Sequence, residues 1–375
     1  MSLDAIATFE EDPGVSSVPV SGDNATFPHY SPPLLTFAAI STITFMIVGL
    51  LGNLLTIIAL LRCPRVRNVA AAFIISLCAA DFLFCAVALP FAASRFITDS
   101  WVHGDVLCKI VPLIRYGNVG VSLLCIAMIT INRYIMIAHY GIYTKIYKPV
   151  WIACMIIFSW ALSFGMQIPT FLGYWGKYSY DHNLRTCSIT KDMWGRSSKT
   201  SLFMIGFVIP CLIIVGCYAR IFWVVHSSES RMRKHATTNS TGKEKRESKA
   251  KRNEWRITKM VLAIFLSFLL CYLPITIIKV YDGNVRFPVL HVVSYLLLYM
   301  SACINPIIYV IMNHQYRQAY KTILLCKRPR LSSLTPGSSY GGKSKEDSKT
   351  MVSQVSIAMT PVKSKELADL GDRQL

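Results

Sequence analysis

Charge is scarce in this sequence. Asp, Glu, Lys and Arg make up only 16% of its 375 residues, against about 25% in an ordinary soluble chain. A soluble fold of this length lacks the charge to cover its surface. Disorder of the whole chain is excluded too: hydrophobic residues reach 53%, and disorder requires a chain poor in them. Catalytic signatures are missing from the apolar body of the chain. The sequence holds no His-Glu-x-x-His, and its Cys and His spacings match no zinc site; the letters of Gly-x-Ser-x-Gly and of a phosphate loop occur only at 337–344, in a Ser-rich tail that offers no strand and helix to hold them. No enzyme activity is expected. Lys and Arg are absent from the first 33 residues, which carry five acids, and no charged stretch leads into an apolar segment there. No cleavable signal peptide is therefore expected.

What is present is apolar and long. Mean hydropathy is +0.43. Seven runs (34–61, 68–94, 110–132, 149–176, 200–219, 260–278 and 287–313) hold two charged residues in all, Asp81 in the second and Arg115 in the third. About 20 apolar residues cross the hydrocarbon of a bilayer, so each run is long enough to span. The short alternating segments of a membrane β-barrel do not occur. The expected fold is an all-α membrane protein, a seven-transmembrane helix bundle over 34–312. Residues 313–326 set Tyr316, Ala319, Tyr320, Ile323 and Leu324 at helical spacing, with Arg317 and Lys321 off that stripe. That spacing predicts a short amphipathic helix on the inner leaflet after the seventh span.

The net charge of +19 lies in blocks between the apolar runs, so it signals solvation and anionic lipid headgroups rather than nucleic acid. Segment 220–259 carries twelve basic and four acidic residues. The excess of Lys and Arg marks the cytosolic side. Residues 1–33 are then an extracellular N-terminus, and 327–375 a disordered cytoplasmic tail. Plasma-membrane residence is expected. Asn24-Ala25-Thr26 is a glycosylation sequon on the outside face. Of twelve cysteines, only Cys108 and Cys187 fall outside the membrane on the oxidising side, which favours a disulfide between them. Cys326 closes the amphipathic stretch. It is either a palmitoylation site or an ordinary cytosolic thiol.

Ionisable and polar groups at membrane depth are costly and point to function. Asp81 lies deep in the second run. Asn118 and Ser122, and likewise Ser301 and Asn305, are four apart and share a helix face. Together they form either a pocket for a hard monovalent cation or a polar packing network without one. Near the outer ends lie Arg95, Arg115 and Lys279, among Phe96, Trp101, Tyr116, Tyr281, Tyr295 and Tyr299. This set reads either as a cationic, aromatic cup for a ligand or as interfacial anchoring. Arg115 is the strongest ligand candidate. At the inner end of the third span, Arg133 in Asn132-Arg133-Tyr134 is placed for a clamp with Glu254 at the start of the sixth, a pair able to open and close.

Gly52-Asn53, Leu77 to Asp81, the pair Cys108 and Cys187, Asn132-Arg133-Tyr134, Trp160, Pro210 with Tyr218, Phe268, Cys271-Tyr272-Leu273-Pro274 and Asn305-Pro306-Ile307-Ile308-Tyr309 stand in register along the chain. With the seven runs they resemble the rhodopsin-like (class A) G-protein-coupled receptors over 34–326. The resemblance implies an extracellular ligand and a heterotrimeric G protein as partners. It gives Arg133, supported by Tyr218 and Tyr309, the coupling role, Phe268, Tyr272 and Pro274 a switch in the sixth helix, and Asp81, Asn118, Ser122, Ser301 and Asn305 an allosteric sodium pocket. Tail residues Ser332, Ser333, Thr335, Ser338 and Ser339 would accept phosphate from a receptor kinase and recruit an arrestin-like protein.

Three departures from the family pattern matter. Asn132 replaces the usual acid, so basal activity is expected to differ. Tyr272 replaces the usual tryptophan. Arg115 stands where amine receptors carry Asp, which favours an anionic ligand, a lipid phosphate or an acid. Within the family, Asn-Arg-Tyr, Cys-Tyr-Leu-Pro and Asn-Pro-Ile-Ile-Tyr together look like the insect trapped-in-endoderm and Moody group. That likeness implies roles in germ-cell migration, cell polarity or glial barrier formation. Melatonin-like or peptide-sensing receptors are the alternative within the family. A polytopic transporter is the rival outside it, and would call for internal repeats and more midplane charge.

Overall fold

Helices form where the apolar runs lie, because a backbone crossing hydrocarbon has to bond its N–H and C=O groups within itself. The computed structural model describes residues 30–63, 66, 68–235, 242–282 and 285–325, with side chains undescribed over 228–254. The spans are α1 (Pro32–Arg62), α2 (Val69–Thr98), α3 (Gly104–Ala138), α4 (Pro149–Phe171), α5 (Lys199–Ser227), α6 (Trp255–Tyr281) and α7 (Pro288–Met312). The helix of α5 continues to His235 and that of α6 starts at Gly242. A short helix, Tyr140–Ile146, joins α3 to α4, and α8 (His314–Leu324) follows α7. Between α4 and α5, β1 (Lys177–Asp181) and β2 (Thr186–Thr190) form an antiparallel hairpin with Tyr180 opposite Cys187.

Local chemistry sets the helix starts. α1, α4 and α7 begin with proline in the first turn, where its missing N–H has no helical partner to lose. The Asn68 side chain caps α2 by accepting from the Ala71 N–H at 2.9 Å. Two spans contain one wide turn each, Phe84–Ala88 in α2 and Met204–Val208 in α5. Leu89 N–H reaches back to the Phe84 carbonyl, and Ile209 N–H to the Met204 carbonyl. In both cases the next residue is proline, Pro90 or Pro210. A proline ring crowds the preceding turn and supplies no N–H, and the widened turn takes up that misfit.

The core lies along α2, α3 and α7, each more than half buried, whereas α4 and α5 expose most of their surface. Apolar exposure carries no penalty when the solvent is lipid. α3 and α4 approach closely through small residues. A Cβ at Gly117 would lie 2.5 Å from the Phe164 ring, and one at Gly120 would lie 2.8 Å from Ser163 Oγ. Polar ties cross the bundle: Asn53 Nδ2 donates to the Ala302 carbonyl at 2.8 Å, and Trp160 Nε1 to Ser76 Oγ at 2.9 Å. On α8, Tyr316, Ala319 and Tyr320 are buried while Leu324 is exposed. The Tyr320 hydroxyl meets Thr56 Oγ1 of α1 at 2.6 Å. Much of the stripe expected to face lipid therefore packs on the bundle.

Candidate functional site

The hairpin roofs one end of the bundle. Cys187 on β2 is bonded to Cys108 on α3, with Cα atoms 5.2 Å apart. Two buried arginines hold the hairpin further. Arg95 Nη2 donates to the Leu184 carbonyl at 2.5 Å and its Nε to Arg185 O at 3.2 Å, while its guanidinium stacks 4.7 Å from the Phe96 ring centre. Arg115 Nη2 donates to Cys187 O at 2.6 Å. Arg185, in the hairpin turn, pairs with Asp99 at the end of α2. Arg95 and Arg115 thus spend donors on backbone carbonyls of the roof.

Beneath the roof lie two cavities. The larger, about 500 Å³, is lined by α3 to α7, with Tyr116, Gln167, Lys199, Phe203, Phe207, Tyr272 and Lys279 among its walls. The smaller, about 20 Å³, lies between α2, α3 and α7 and is lined by Arg95, Trp101, Arg115, Tyr295 and Tyr299. The nine residues expected to form one cup are therefore divided. Tyr116 and Lys279 face the large cavity, Phe96 joins Arg95, Trp101, Arg115, Tyr295 and Tyr299 at the small one, and Tyr281 is exposed and lines neither. Tyr295 stands near the divide, with Lys279 Nζ over its ring at 5.1 Å. Tyr116 is fixed by Ser188, hydroxyl to hydroxyl at 3.1 Å. Trp101 turns its indole N–H to the Gly104 carbonyl at 2.9 Å.

Sequence reasoning missed Lys199, Asp181, Asp282 and His291, which also line the large cavity. Lys199 sits one place before the fifth apolar run, and the rule that singled out Lys279 would have found it. Asp181 Oδ1 accepts from the Asn183 and Leu184 N–H groups. Asp282 accepts from Arg286 N–H at 2.8 Å, Phe287 N–H at 2.9 Å and His291 Nε2 at 3.2 Å. Burial pushes the Asp282 carboxyl up, but those donors outweigh it and hold its pKa below the ordinary carboxylate value.

Tyr272 and Phe207 connect the large cavity to the middle of the bundle. Phe207 stacks on Phe268 at 6.1 Å and Phe268 on Tyr272 at 4.1 Å between ring centres. Pro274 follows within the α6 helix. The Tyr272 hydroxyl lies 3.1 Å from Ser301 Oγ, which donates to Leu298 O at 2.7 Å. Asp81 is buried below. Its Oδ1 accepts from Ser122 Oγ at 3.2 Å and its Oδ2 from Asn305 Nδ2 at 2.8 Å, with Asn118 beside it. Ser301 is thus turned to Tyr272 rather than to the carboxylate. Asn118 Oδ1 is buried without a hydrogen-bond partner, so the donor set of carboxylate, amide and hydroxyl oxygens fits a hard monovalent cation.

At the opposite end Arg133 is buried, with Nη1 3.9 Å from Met136 Sδ. Asn132 Nδ2 donates to the Tyr143 hydroxyl of the short helix at 3.3 Å. The Tyr134 hydroxyl meets His139 Nε2 at 3.0 Å. Tyr218 donates to Thr258 O at 3.2 Å, and the buried Tyr309 ring lies 5.3 Å from Tyr316. The Glu254 side chain, Asn24, Cys326 and the tail Ser and Thr residues lie outside the described residues.

Seven spans around α3, a disulfide-tied roof over a cavity, and Arg133 buried at the far end define the architecture of a seven-helix membrane receptor. The model of the 7 transmembrane receptor (rhodopsin family) matches residues 52–309, and the chain belongs to that family, whose members are receptors rather than enzymes. The chain is 54% identical over 390 residues to the G-protein coupled receptor moody of Drosophila melanogaster, covering 87% of this chain and 58% of that protein. It is 40% identical over 320 residues to Protein trapped in endoderm-1 of the same species, covering 81% of each. The chain spans 58% and 61% of the length of the first two curated relatives. Squid rhodopsin superposes with a TM-score of 0.71 at 26% identity, covering 80% of this chain and 89% of the other.

Proposed function

We propose that this multi-pass membrane protein is a plasma-membrane receptor that takes an anionic ligand into the large cavity and activates a heterotrimeric G protein at the opposite end. On this reading the hairpin and the N-terminus face outside. The observation that carries it is the charge balance of the cavity wall. Lys199 and Lys279 line it, and no carboxylate among the described residues lies within 4.0 Å of either. The two acids on the same wall, Asp181 and Asp282, are engaged by backbone N–H groups. A lipid phosphate or carboxylate supplies the missing charge, and the apolar wall takes its chain. Arg115 acts at one remove, by fixing the roof over Tyr116.

A ligand that prefers one arrangement of Tyr272 shifts the bundle toward it. The route runs through Ser301 and Asn305 to Asp81, and from there to Arg133, Tyr218 and Tyr309. A sodium ion on Asp81, Asn118 and Ser122 would add charge compensation that favours the resting arrangement. Receptor kinase and arrestin-like partners would act on the tail. The likeness to the Moody and trapped-in-endoderm proteins supports a role in cell migration, polarity or glial barrier formation.

The test is G-protein activation in cells given albumin-bound oleoyl lysophosphatidate, oleate or neutral monoolein. The anionic lipids should activate the wild type. Lys279→Gln should raise their half-maximal concentration about tenfold, the loss of one hydrogen bond to a charged group. Arg133→Ala should abolish the response while leaving lipid binding in place. Equal responses to monoolein, unchanged by Lys279→Gln, would sink the anionic reading.

A further inference from the structure

The small chamber beneath the hairpin poses a separate problem of charge. Arg95 and Arg115 both line it, and they are only 5% and 7% exposed. Guanidinium groups do not shed their proton to escape burial, so two full positive charges enter one apolar cleft. Among the described residues no carboxylate lies within 4.0 Å of either. Asp99, the acid at the end of α2, is paired to Arg185. The carbonyls of Leu184, Arg185 and Cys187 accept from the two arginines but bring only partial charge. Two buried like charges without a counter-charge cost far more than such dipoles return.

A third group points at the same gap. The Tyr295 hydroxyl is buried, has no hydrogen-bond partner, and its residue lines the chamber. The Lys279 ammonium, 5.1 Å from the centre of the Tyr295 ring, interacts with that hydroxyl but outside hydrogen-bond geometry. A phenol O–H beside two guanidinium groups is a donor set for an anion. The volume decides its size. About 20 Å³ holds roughly one water-sized sphere, which needs about 10–15 Å³. A phosphate or lipid headgroup does not fit, and a water molecule fits but leaves the charge unanswered.

We propose that this chamber is a binding site for a single monatomic anion, chloride, held by Arg95, Arg115 and the Tyr295 hydroxyl. Bound there, the ion neutralises the two arginines that grip the hairpin and so stabilises the roof over the neighbouring cavity. The site is independent of the ligand and of the G protein.

The experiment uses the full chain, purified in nanodiscs, with thermal unfolding followed at constant sodium and ionic strength as the anion is changed. Chloride should raise Tm above the gluconate value in a saturable way, by about 2–4 °C at ten times its Kd, and bromide should replace it. Tyr295→Phe keeps the ring and should weaken the halide dependence several-fold. Arg115→Gln should remove it, and Arg95→Gln serves if that variant does not fold. Identical Tm in gluconate, chloride and bromide for the wild type overturns the proposal in favour of a water-filled chamber. Loss of the halide effect in Lys279→Gln but not in Tyr295→Phe also overturns it, by moving the anion into the large cavity.

Discussion

At position 272 a tyrosine stands where the family carries tryptophan, and its hydroxyl gives it a contact an indole would not reproduce in the same place. The ring stacks on Phe268 at 4.1 Å and the hydroxyl meets Ser301 at 3.1 Å. Tyr272→Phe keeps the stack and deletes the tie to α7. A hydrogen bond of this kind is worth about 0.5–1.5 kcal/mol net, so the resting arrangement should lose up to about tenfold in population. Basal G-protein activation, measured without added lipid, should rise, and an unchanged basal rate would disconnect Tyr272 from the switch. At position 132 the asparagine that stands in for the acid donates to the Tyr143 hydroxyl. Asn132→Asp places a full charge next to Arg133 and turns that contact round, the carboxylate accepting where the amide donates, and basal activation in the same assay should fall. Most of these residues were legible as motif positions. Their partners were not, because a backbone carbonyl such as Cys187 O or Leu184 O leaves no mark in the sequence of the arginine that binds it.

Helices were legible as runs because hydrocarbon punishes every other backbone path. Their ends were not. α3 extends past both ends of run 110–132, from Gly104 to Ala138, since a helix continues into the interface after its apolar stretch stops. Pro90 and Pro210 mark where the wide turns fall, but a proline inside a run does not by itself tell a widened turn from a kink. Packing at element scale rests on missing side chains. Gly117→Val would push methyl groups into the Phe164 ring, where a Cβ alone comes to 2.5 Å. Overpacking of this sort costs about 1–3 kcal/mol, and the nanodisc Tm should drop while Gly141→Ala, in open space, leaves it unchanged. The α6–α7 turn gives a pH prediction. Asp282 has a folded pKa below its ordinary 3.8, so its contribution is complete above that value and disappears as pH falls through the lower, folded one. Exchange protection of the Arg286 and Phe287 amides should therefore hold between pH 7 and pH 5, about one unit above the ordinary carboxylate range. Asp282→Ala should remove that protection across the whole interval.

For the molecule as a whole, the question is how a cavity under the roof communicates with the far end of the bundle. The contacts offer one continuous route through Phe207, Phe268, Tyr272, Ser301, Asn305 and Asp81. A route of contacts is not yet a coupling; coupling requires two arrangements that both sites distinguish. Asp81 supplies a way to measure it. If a sodium ion on Asp81, Asn118 and Ser122 prefers the resting arrangement, and the lipid in the large cavity prefers the other, linkage makes each weaken the other by the same factor. Raising sodium at constant chloride should then shift the lysophosphatidate binding curve to higher concentration, by about 5- to 150-fold at saturation. Asp81→Asn keeps the contacts to Ser122 and Asn305 possible but removes the charge, and should make binding independent of sodium. Holding chloride fixed separates this effect from the anion chamber. A sodium shift that survives Asp81→Asn would place the cation elsewhere and leave the Asp81 cluster as packing alone.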